Sequence, residues 1–185
     1  PEKTLLPEYL VRNIKVVCLY LNRKTFFLKG SRILKEALQK HHVTHLHSFG
    51  VKPDILAHSV CRKLDIRHII TLRNFPMEDV PTRMHPMMGF FTAIIHLNVL
   101  KRCRYLISCS KTIAKKMELA YHLENRITPI QNGVDTTIYT TPDSDAKRVL
   151  RAKLGLSLGK YIFISTNSFI PRKHNDEIIS AFVSA

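Results

Sequence analysis

The sequence is poor in features that mark several common classes of protein. It holds only four cysteines and no tryptophan, and its 14 Asp and Glu face 29 Lys and Arg. None of the cysteines forms a Cys-x-x-Cys pair, so the sequence predicts neither a disulfide scaffold nor a zinc finger, and reduced thiols in a cytosolic protein are expected. The most apolar stretch, residues 87–100, is interrupted by His96 and Asn98 and is shorter than the ~20 residues of a membrane-spanning helix.

The balance of charge is strongly basic. A formal net charge of +15 attracts phosphate groups, whether of nucleic acid, anionic lipid or a nucleotide. The basic residues are spread along the chain, which argues against a disordered nucleic-acid-binding tail. An RNP-type aromatic strand and a recognition helix are missing too. Nucleic acid is therefore not an expected partner, and a basic nucleic-acid-binding module is kept as the alternative from another functional class.

Apolar periodicity predicts strands that alternate with helices. A first helix is expected over residues 5–27, broken near Gly30, and Ser31 is expected to cap the next helix. Four short strands are expected at 43–47, 67–72, 105–109 and 127–130, and the connecting helices at 53–64, 82–103 and 110–121. This alternation predicts an α/β fold, a Rossmann-like parallel sheet with helices on both faces.

The segment 127–135 divides the chain. Its Asn132-Gly133 pair favours the left-handed backbone of a tight turn, and the Thr-rich residues after it read as a linker. The predicted organisation is most of one domain over 1–135, a linker and helix over 136–159, and the start of a second Rossmann-like domain over 160–185.

Within the last of these segments, two elements are expected. The apolar residues 161–166 predict a buried strand, and the helix that follows is expected to turn Ile178, Ile179 and Phe182 inward.

Polar residues follow each predicted strand of the sheet. Ligands bind outside the carboxyl ends of the strands in an open parallel sheet, so the candidate site residues are His45, His47, Ser48, Arg73, Asn74, Glu78, Ser108, Ser110, Asn132 and Asp135. Loops are polar by default, and each residue taken singly is equally well explained as an ordinary loop residue. His45 and His47 share a strand face, but no Cys or carboxylate lies at ligand spacing, so no metal site is expected there.

A second candidate site precedes the last predicted helix, which starts near Asn175. The loop before it carries Ser168, Arg172 and Lys173 toward the free amides of a helix N-terminus, which favour an anion. Alternatively, the acidic residues of the first turn satisfy the helix dipole and leave both cations solvated.

Five short motifs carry a resemblance to a known family: HLHS at 45–48, IITL at 69–72, ISCS at 107–110, IQNGVD at 130–135 and SFIPRK at 168–173. In order and spacing they resemble family 4 of the retaining GT-B glycosyltransferases over roughly residues 43–182. The resemblance implies two Rossmann-like domains that face a cleft. It places the acceptor mainly on the first domain and a nucleotide-sugar on the second.

The resemblance also implies an activity. A hexose would pass from a nucleoside-diphosphate sugar to a hydroxyl of a lipid-linked or saccharide acceptor, with retention and without a metal or other cofactor. The expected setting is capsule, lipopolysaccharide or glycolipid synthesis, in the cytoplasm or on the inner face of the cell membrane. An anionic membrane surface is a further candidate partner, because basic residues lie near the apolar segment 87–100: Arg102, Arg104, Lys111, Lys115 and Lys116. A GT-B nucleotide-sugar epimerase is the alternative within the same fold.

Carried over by position, the resemblance assigns roles to three groups. The acceptor cleft would include His47, Ser48, Arg73, Asn74 and Glu78, the domain junction Asn132, Gly133 and Asp135, and the donor phosphate site Lys173, Arg172 and Ser168. Two positions depart from the family pattern. Arg73 stands where the family often has His, and Asn167-Ser168 replaces a common Gly-Arg, a phosphate contact that Arg172 is expected to supply.

The catalytic residues are not assigned by the resemblance. The carboxylate pair of the family would lie beyond Ala185, and the chain is therefore expected to be an internal fragment that is inactive alone.

Overall fold

The computed structural model describes residues 6–123, 125–169 and 173–184. The chain divides into two compact units, Pro1–Gly133 and Val134–Ala185. The first unit ends at Gly133, two residues before residue 135, where the sequence predicted the end of the first domain.

A four-stranded parallel sheet forms the centre of the first unit. Its strands lie in the order of the chain: β1 His45–Ser48, β2 Arg67–Leu72, β3 Tyr105–Ser108 and β4 Ile127–Pro129. Each strand pairs in parallel with the next, and Ile70 lies opposite Leu106 in the middle of the sheet. Alternate residues of β2 are buried, as the two-residue period of a strand requires. The predicted α/β fold with a parallel sheet is thereby confirmed.

Helices connect and flank these strands: α1 Leu6–Val11, α2 Arg23–Lys40, α3 Val51–Leu64, α4 Pro76–Asp79, α5 Pro86–Arg102 and α6 Lys111–Tyr121, with a 3₁₀ turn at Pro81–Arg83. Local sequence explains several of their ends. Pro86 begins α5 because its missing N–H costs nothing in the first turn of a helix. Ser110 caps α6, and its Oγ accepts a hydrogen bond from the Ile113 amide at 3.1 Å.

The predicted first helix is wrong in its extent. It ends at Val11, residues 14–22 form neither helix nor strand, and α2 then starts at Arg23. Asn22 is the reason for the second start. Its Oδ1 accepts from the Thr25 amide at 2.9 Å while Thr25 Oγ1 accepts from the Asn22 amide at 2.8 Å, which is a capping box.

Gly30 does not break α2 either, and Ser31 lies inside the helix instead of capping it. Gly30 is buried, and a Cβ at this position would lie 3.4 Å from Leu56 Cδ1 on α3. The glycine therefore lets α2 and α3 pack closely.

The core of the first unit lies between the sheet and helices α5 and α6. Its fully buried side chains include Ile70, Leu100 and Met117, and burial of each stabilises the fold by roughly 1.5–3 kcal/mol. On α6 the predicted inward residues are confirmed: Ala114 and Met117 are buried, and Ile113 and Tyr121 pack against the same cluster. The lysines of α6 are exposed, as expected.

The second unit contains helix α7 Ser144–Lys153 and helix α8 Asn175–Val183. Asp143 caps α7 through a 2.8 Å bond from the Ala146 amide. Over 161–166 the structure has no strand, and Tyr161 is 93 % exposed. The predicted buried strand is wrong for this chain, because no other strand lies among the described residues of the unit to pair with it.

The predicted inward face of α8 is also exposed at Ile178, Ile179 and Phe182. Phe182 contacts only the edge of Phe163 among aromatic rings of the described chain, with ring centroids 5.6 Å apart. The assignment of this segment to a second Rossmann-like domain stays a prediction.

The turn predicted at Asn132-Gly133 lies further along the chain. Neither residue has a left-handed backbone. The turn forms at residues 136–138, where Asp135 accepts a 2.9 Å bond from the Thr137 amide and a 2.6 Å bond from its hydroxyl. An aspartate that hydrogen-bonds two residues ahead can initiate a turn without any glycine.

Candidate functional site

A pocket of about 410 Å³ opens at the carboxyl edge of the sheet. Its wall is built from the residues that follow β1 and β2, the first turn of α3, the segment from Pro76 to Met84, and α5. This is the edge at which open parallel sheets bind ligands, and the volume falls within the ~300–1,000 Å³ of small-molecule sites.

Gly50 makes the sharp connection from β1 into α3. Its φ of 104° lies in a region that residues with a Cβ rarely adopt. The Gly50 carbonyl accepts from the Asp54 amide at 2.9 Å. This turn brings the first residues of α3, among them Lys52 and Asp54, to the pocket wall.

Three cationic side chains line the pocket: Lys52, Arg73 and Arg83. All three residues are exposed, and the Arg73 guanidinium carbon lies 5.8 Å from the centre of the Phe49 ring. Asn74 adds an amide to the same wall. Guanidinium and ammonium groups bind phosphate and carboxylate oxygens, so the pocket favours a ligand that carries negative charge.

Asp54 is a buried residue of the wall and is only 1 % exposed. Its Oδ1 accepts a 2.6 Å bond from Ser48 Oγ, and its Oδ2 accepts a 2.9 Å bond from His96 Nε2. A buried carboxylate is stable only when its oxygens are satisfied, and these contacts join β1, α3 and α5. The bond to Asp54 puts a proton on His96 Nε2, and His96 Nδ1 has no hydrogen-bond partner among the described residues.

Ser48 connects this pair to the interior. Its hydroxyl donates to Asp54 and accepts from His68 Nε2 at 2.8 Å. Burial, followed by the effect of nearby His58, lowers the pKa of His68 to about 4, and burial also lowers the pKa of His58. Both rings are therefore neutral at pH 7. His96, Asp54, Ser48 and His68 form a buried, hydrogen-bonded polar column that starts in the pocket wall.

The family follows from a comparison of sequences. Residues 1–138 match the family model of Glycosyltransferase Family 4, which is well over half of the 185 residues. The chain belongs to Glycosyltransferase Family 4. The resemblance inferred from the five motifs is thus confirmed at the level of the family. A comparison with curated proteins returned no match.

Within this family-4 chain, two of the five residues expected in the acceptor cleft line the pocket, Arg73 and Asn74. Ser48 is buried behind the wall. His47 lies on the other face of β1, where its Nε2 is 2.6 Å from Thr71 Oγ1. Glu78 is exposed and pairs with Lys116 at 2.5 Å.

The other polar strand ends have local partners. Ser108 Oγ donates to the Ser110 carbonyl at 2.8 Å, and the ring of His45 lies near Thr44 Oγ1 and the Arg67 guanidinium. These contacts are local or link β1 to β2, so they support the fold at positions where the sequence suggested ligand contacts.

Five residues expected at the junction and the donor phosphate lie in the described part of the chain and are exposed: Asn132, Gly133, Asp135, Ser168 and Lys173. Hydrogen bonds from the Thr137 side chain and backbone lower the pKa of Asp135, while Asn132 and Gly133 precede it. The Ser168 carbonyl accepts from Asn175 Nδ2 at 3.1 Å. Lys173 is exposed and lies two residues before α8. Arg172 falls outside the described residues.

Sequence reasoning missed Asp54, His68 and His96. A signal was present for His96, since it interrupts the most apolar stretch of the chain, where a polar residue implies a buried partner. No pattern pointed to Asp54, which lies 42 residues away from it in the chain. None of the helices in the described part of the chain is both long and apolar enough to cross a bilayer.

Proposed function

We propose that this member of Glycosyltransferase Family 4 holds the sugar acceptor in the carboxyl-edge pocket. The proposed reaction transfers a hexose from a nucleoside-diphosphate sugar to an acceptor hydroxyl, with retention of configuration. Orientation of the two substrates and stabilisation of the leaving phosphate would account for most of the rate.

The charge around the pocket carries this proposal. Lys52, Arg73 and Arg83 come from three separate segments of the wall, and each extends a cation to one cavity. A neutral saccharide offers no negative charge to pair with three cations. A diphosphate that links a sugar to a lipid would bind the two guanidinium groups bidentately and Lys52 as a point charge. Apolar wall residues such as Val80 and Met84 suit the first carbons of a lipid chain. Of the two acceptor classes that the family resemblance allows, a lipid-linked one fits better.

Affinity for a diphosphate probe tests the acceptor assignment. A water-soluble short-chain isoprenyl diphosphate should bind the chain in isothermal titration calorimetry, and Arg73→Ala and Arg83→Ala should each weaken it by roughly tenfold or more, the worth of one charge-assisted contact. Arg12→Ala, which removes an exposed arginine outside the pocket, is the matched control. Equal affinities in all four proteins would show that the pocket does not bind the probe.

The donor would be held by the second unit. Lys173 supports this proposal, because it is exposed and lies just before α8, where it can give a point charge to a diphosphate. Arg172 and Ser168 flank the same helix start in the sequence and would complete the phosphate contacts. The nucleotide-sugar itself would supply the leaving group, and the proposal needs no metal for the transfer.

We also propose that the protein attaches peripherally to the cytoplasmic face of a membrane. Exposed apolar side chains cover one side of α5: Met87, Met88, Phe90, Phe91, Ile94 and Ile95. Lys101 and Arg102 follow in the last turn of the same helix. Exposed apolar side chains beside basic ones favour contact with an anionic bilayer surface, where each basic residue adds ~1 kcal/mol. Lys116, by contrast, is engaged with Glu78 and the Phe75 ring.

Liposome flotation tests the attachment. The chain should float with vesicles that contain anionic lipid, and the bound fraction should fall as salt rises. Phe91→Ser should reduce the bound fraction, while Leu119→Ser, which changes an exposed apolar residue on α6, should leave it unchanged. A bound fraction that does not depend on lipid charge, or one that falls equally in both variants, would contradict the proposal.

A further inference from the structure

A cluster of metal-ligating side chains lies at the amino edge of the sheet, opposite the acceptor pocket. It consists of His58, His68 and Cys103, and one ligand atom of each lies within 4.8 Å of the others. They come from α3, from β2 and from the residue that follows α5. Their positions in the chain are too far apart for any short spacing motif to reveal them.

Both histidines present a nitrogen with no hydrogen-bond partner among the described residues. These atoms are His58 Nε2 and His68 Nδ1, on side chains only 8 % and 7 % exposed. Buried polar atoms without a partner are rare in folded proteins, and each one calls for an explanation. Cys103 Sγ, the third member, is buried and lies 3.3 Å from the His68 carbonyl.

The polar column described above orients His68 toward this cluster. Its Nε2–H donates to Ser48, whose hydroxyl in turn donates to Asp54. Nδ1 therefore carries the lone pair, and it is on the side of the ring away from Ser48. A histidine that ligates a metal commonly gives its other N–H to such an anchoring group, which fixes the tautomer and the ring orientation.

We propose that His58, His68 and Cys103 bind a single Zn²⁺ ion. Two imidazole nitrogens and one thiolate are ligands that zinc takes readily and that Mg²⁺ and Ca²⁺ do not. In a tetrahedral zinc site with bonds of ~2.0–2.3 Å, neighbouring ligand atoms are roughly 3.3–3.8 Å apart. To bind one ion, the ligand atoms, now within 4.8 Å of one another, must therefore approach by about 1 Å. Small rotations of the side chains are sufficient for this.

The pocket around the three ligands determines the fourth ligand of the ion and the charge near it. All three ligands line a pocket of about 420 Å³, so the fourth coordination position faces solvent and takes a water molecule. Four arginines line the same pocket: Arg62, Arg67, Arg102 and Arg104. Their charge repels a cation bound only by neutral groups. Burial raises the pKa of the Cys103 thiol, so an ion must displace the thiol proton to bind the sulfur. The site therefore selects an ion whose bond to sulfur is strong.

Bound zinc would tie α3, β2 and the end of α5 together. Its role is structural, because the cluster lies at the edge of the sheet opposite the acceptor pocket. This inference does not depend on the proposed transferase function.

Metal titration of the full 185-residue chain tests the inference. After treatment with a chelator and its removal, the chain should bind one equivalent of Zn²⁺ and its thermal midpoint should rise. Co²⁺ in place of Zn²⁺ should give a thiolate-to-metal charge-transfer band. Cys103→Ser should lose that band. Ser48→Ala removes the anchor of His68 together with the hydrogen bond to Asp54, and it should weaken metal binding by ~10–100-fold.

Two cysteine variants serve as controls. Cys18→Ser changes an exposed thiol, and Cys61→Ser changes a buried thiol in the wall of the same pocket, outside the three-residue cluster. Both should retain one equivalent of Zn²⁺ and the charge-transfer band. Failure of the unmodified chain to bind Zn²⁺, a cobalt spectrum without thiolate character, or a loss in Cys61→Ser equal to that in Cys103→Ser would overturn the inference.

Discussion

Replacement of Gly89 by alanine should destabilise the wall of the acceptor pocket. Gly89 lies in the first turns of α5, where the helix contacts the 3₁₀ turn Pro81–Arg83. A Cβ at this position would lie 2.5 Å from the Cα of Pro81 and 3.0 Å from its nitrogen. Because these are backbone atoms, neither can rotate away, and the turn or the helix must move.

The expected magnitude follows from two opposing effects. Overpacking of a well-packed site costs roughly 1–3 kcal/mol, and contact with backbone at 2.5 Å places this case at the upper end. Alanine also gains about 1 kcal/mol over glycine in a helix interior. The net loss in the free energy of unfolding should therefore be about 2 kcal/mol.

Urea unfolding measures this loss. Gly133→Ala is the matched control, since nothing lies within 4 Å of its added Cβ and its φ is not positive; it should shift stability by less than about 0.5 kcal/mol. Arg83 lines the pocket beside the displaced turn, so Gly89→Ala should also weaken binding of the isoprenyl diphosphate. If Gly89→Ala proves as stable as the unmodified chain, α5 does not pack against this turn as described.

Three further predictions concern the polar groups. Asp54→Ala leaves Ser48 and His96 without their buried acceptor and should cost about 3 kcal/mol in urea unfolding, whereas a loss under about 0.5 would contradict the hydrogen bonds described. With a chelator present, the free energy of unfolding should fall by about 2 kcal/mol between pH 7 and pH 5. The pKa of His68 is about 4 in the folded chain and 6.5 in the unfolded chain, so the unfolded chain binds more protons over this range. If His68→Asn shows the same dependence of stability on pH, this cause is refuted. In a protein with measurable transfer, Lys173→Ala should lower turnover by roughly 10²–10³ with an unchanged thermal midpoint, and near-normal turnover would remove Lys173 from the donor site.

Local patterns were sufficient to predict most of the first unit. The four strands alternate with helices of ordinary length, and the apolar stripe of α6 identified its buried face at Ala114 and Met117. Where the prediction failed, a distant partner decided the outcome. Gly30 taken alone predicts the end of a helix. In the structure it lies inside α2, where the missing Cβ leaves room for Leu56 of α3. Residues 161–166 have the composition of a strand, but no strand lies among the described residues of the second unit to bond with them.

The candidate site was predictable only in its location. The rule that ligands bind at the carboxyl edge led to Arg73 and Asn74, which do line the pocket. It also selected Ser48, because sequence cannot tell which of two successive strand residues faces the interior at a strand end. Asp54 and His96 could not be predicted as a pair, because their hydrogen bond is a long-range contact between α3 and α5.

The central claim is that the carboxyl-edge pocket of this family-4 chain binds a lipid-linked diphosphate acceptor. The most direct test is a titration of the ¹⁵N-labelled chain with a short-chain isoprenyl diphosphate, followed by amide chemical shifts. The account predicts saturable shifts centred on Gly50, Arg73 and Asn74, and their loss in Arg73→Ala. Shifts confined to other surfaces, or shifts that survive unchanged in Arg73→Ala, would contradict it.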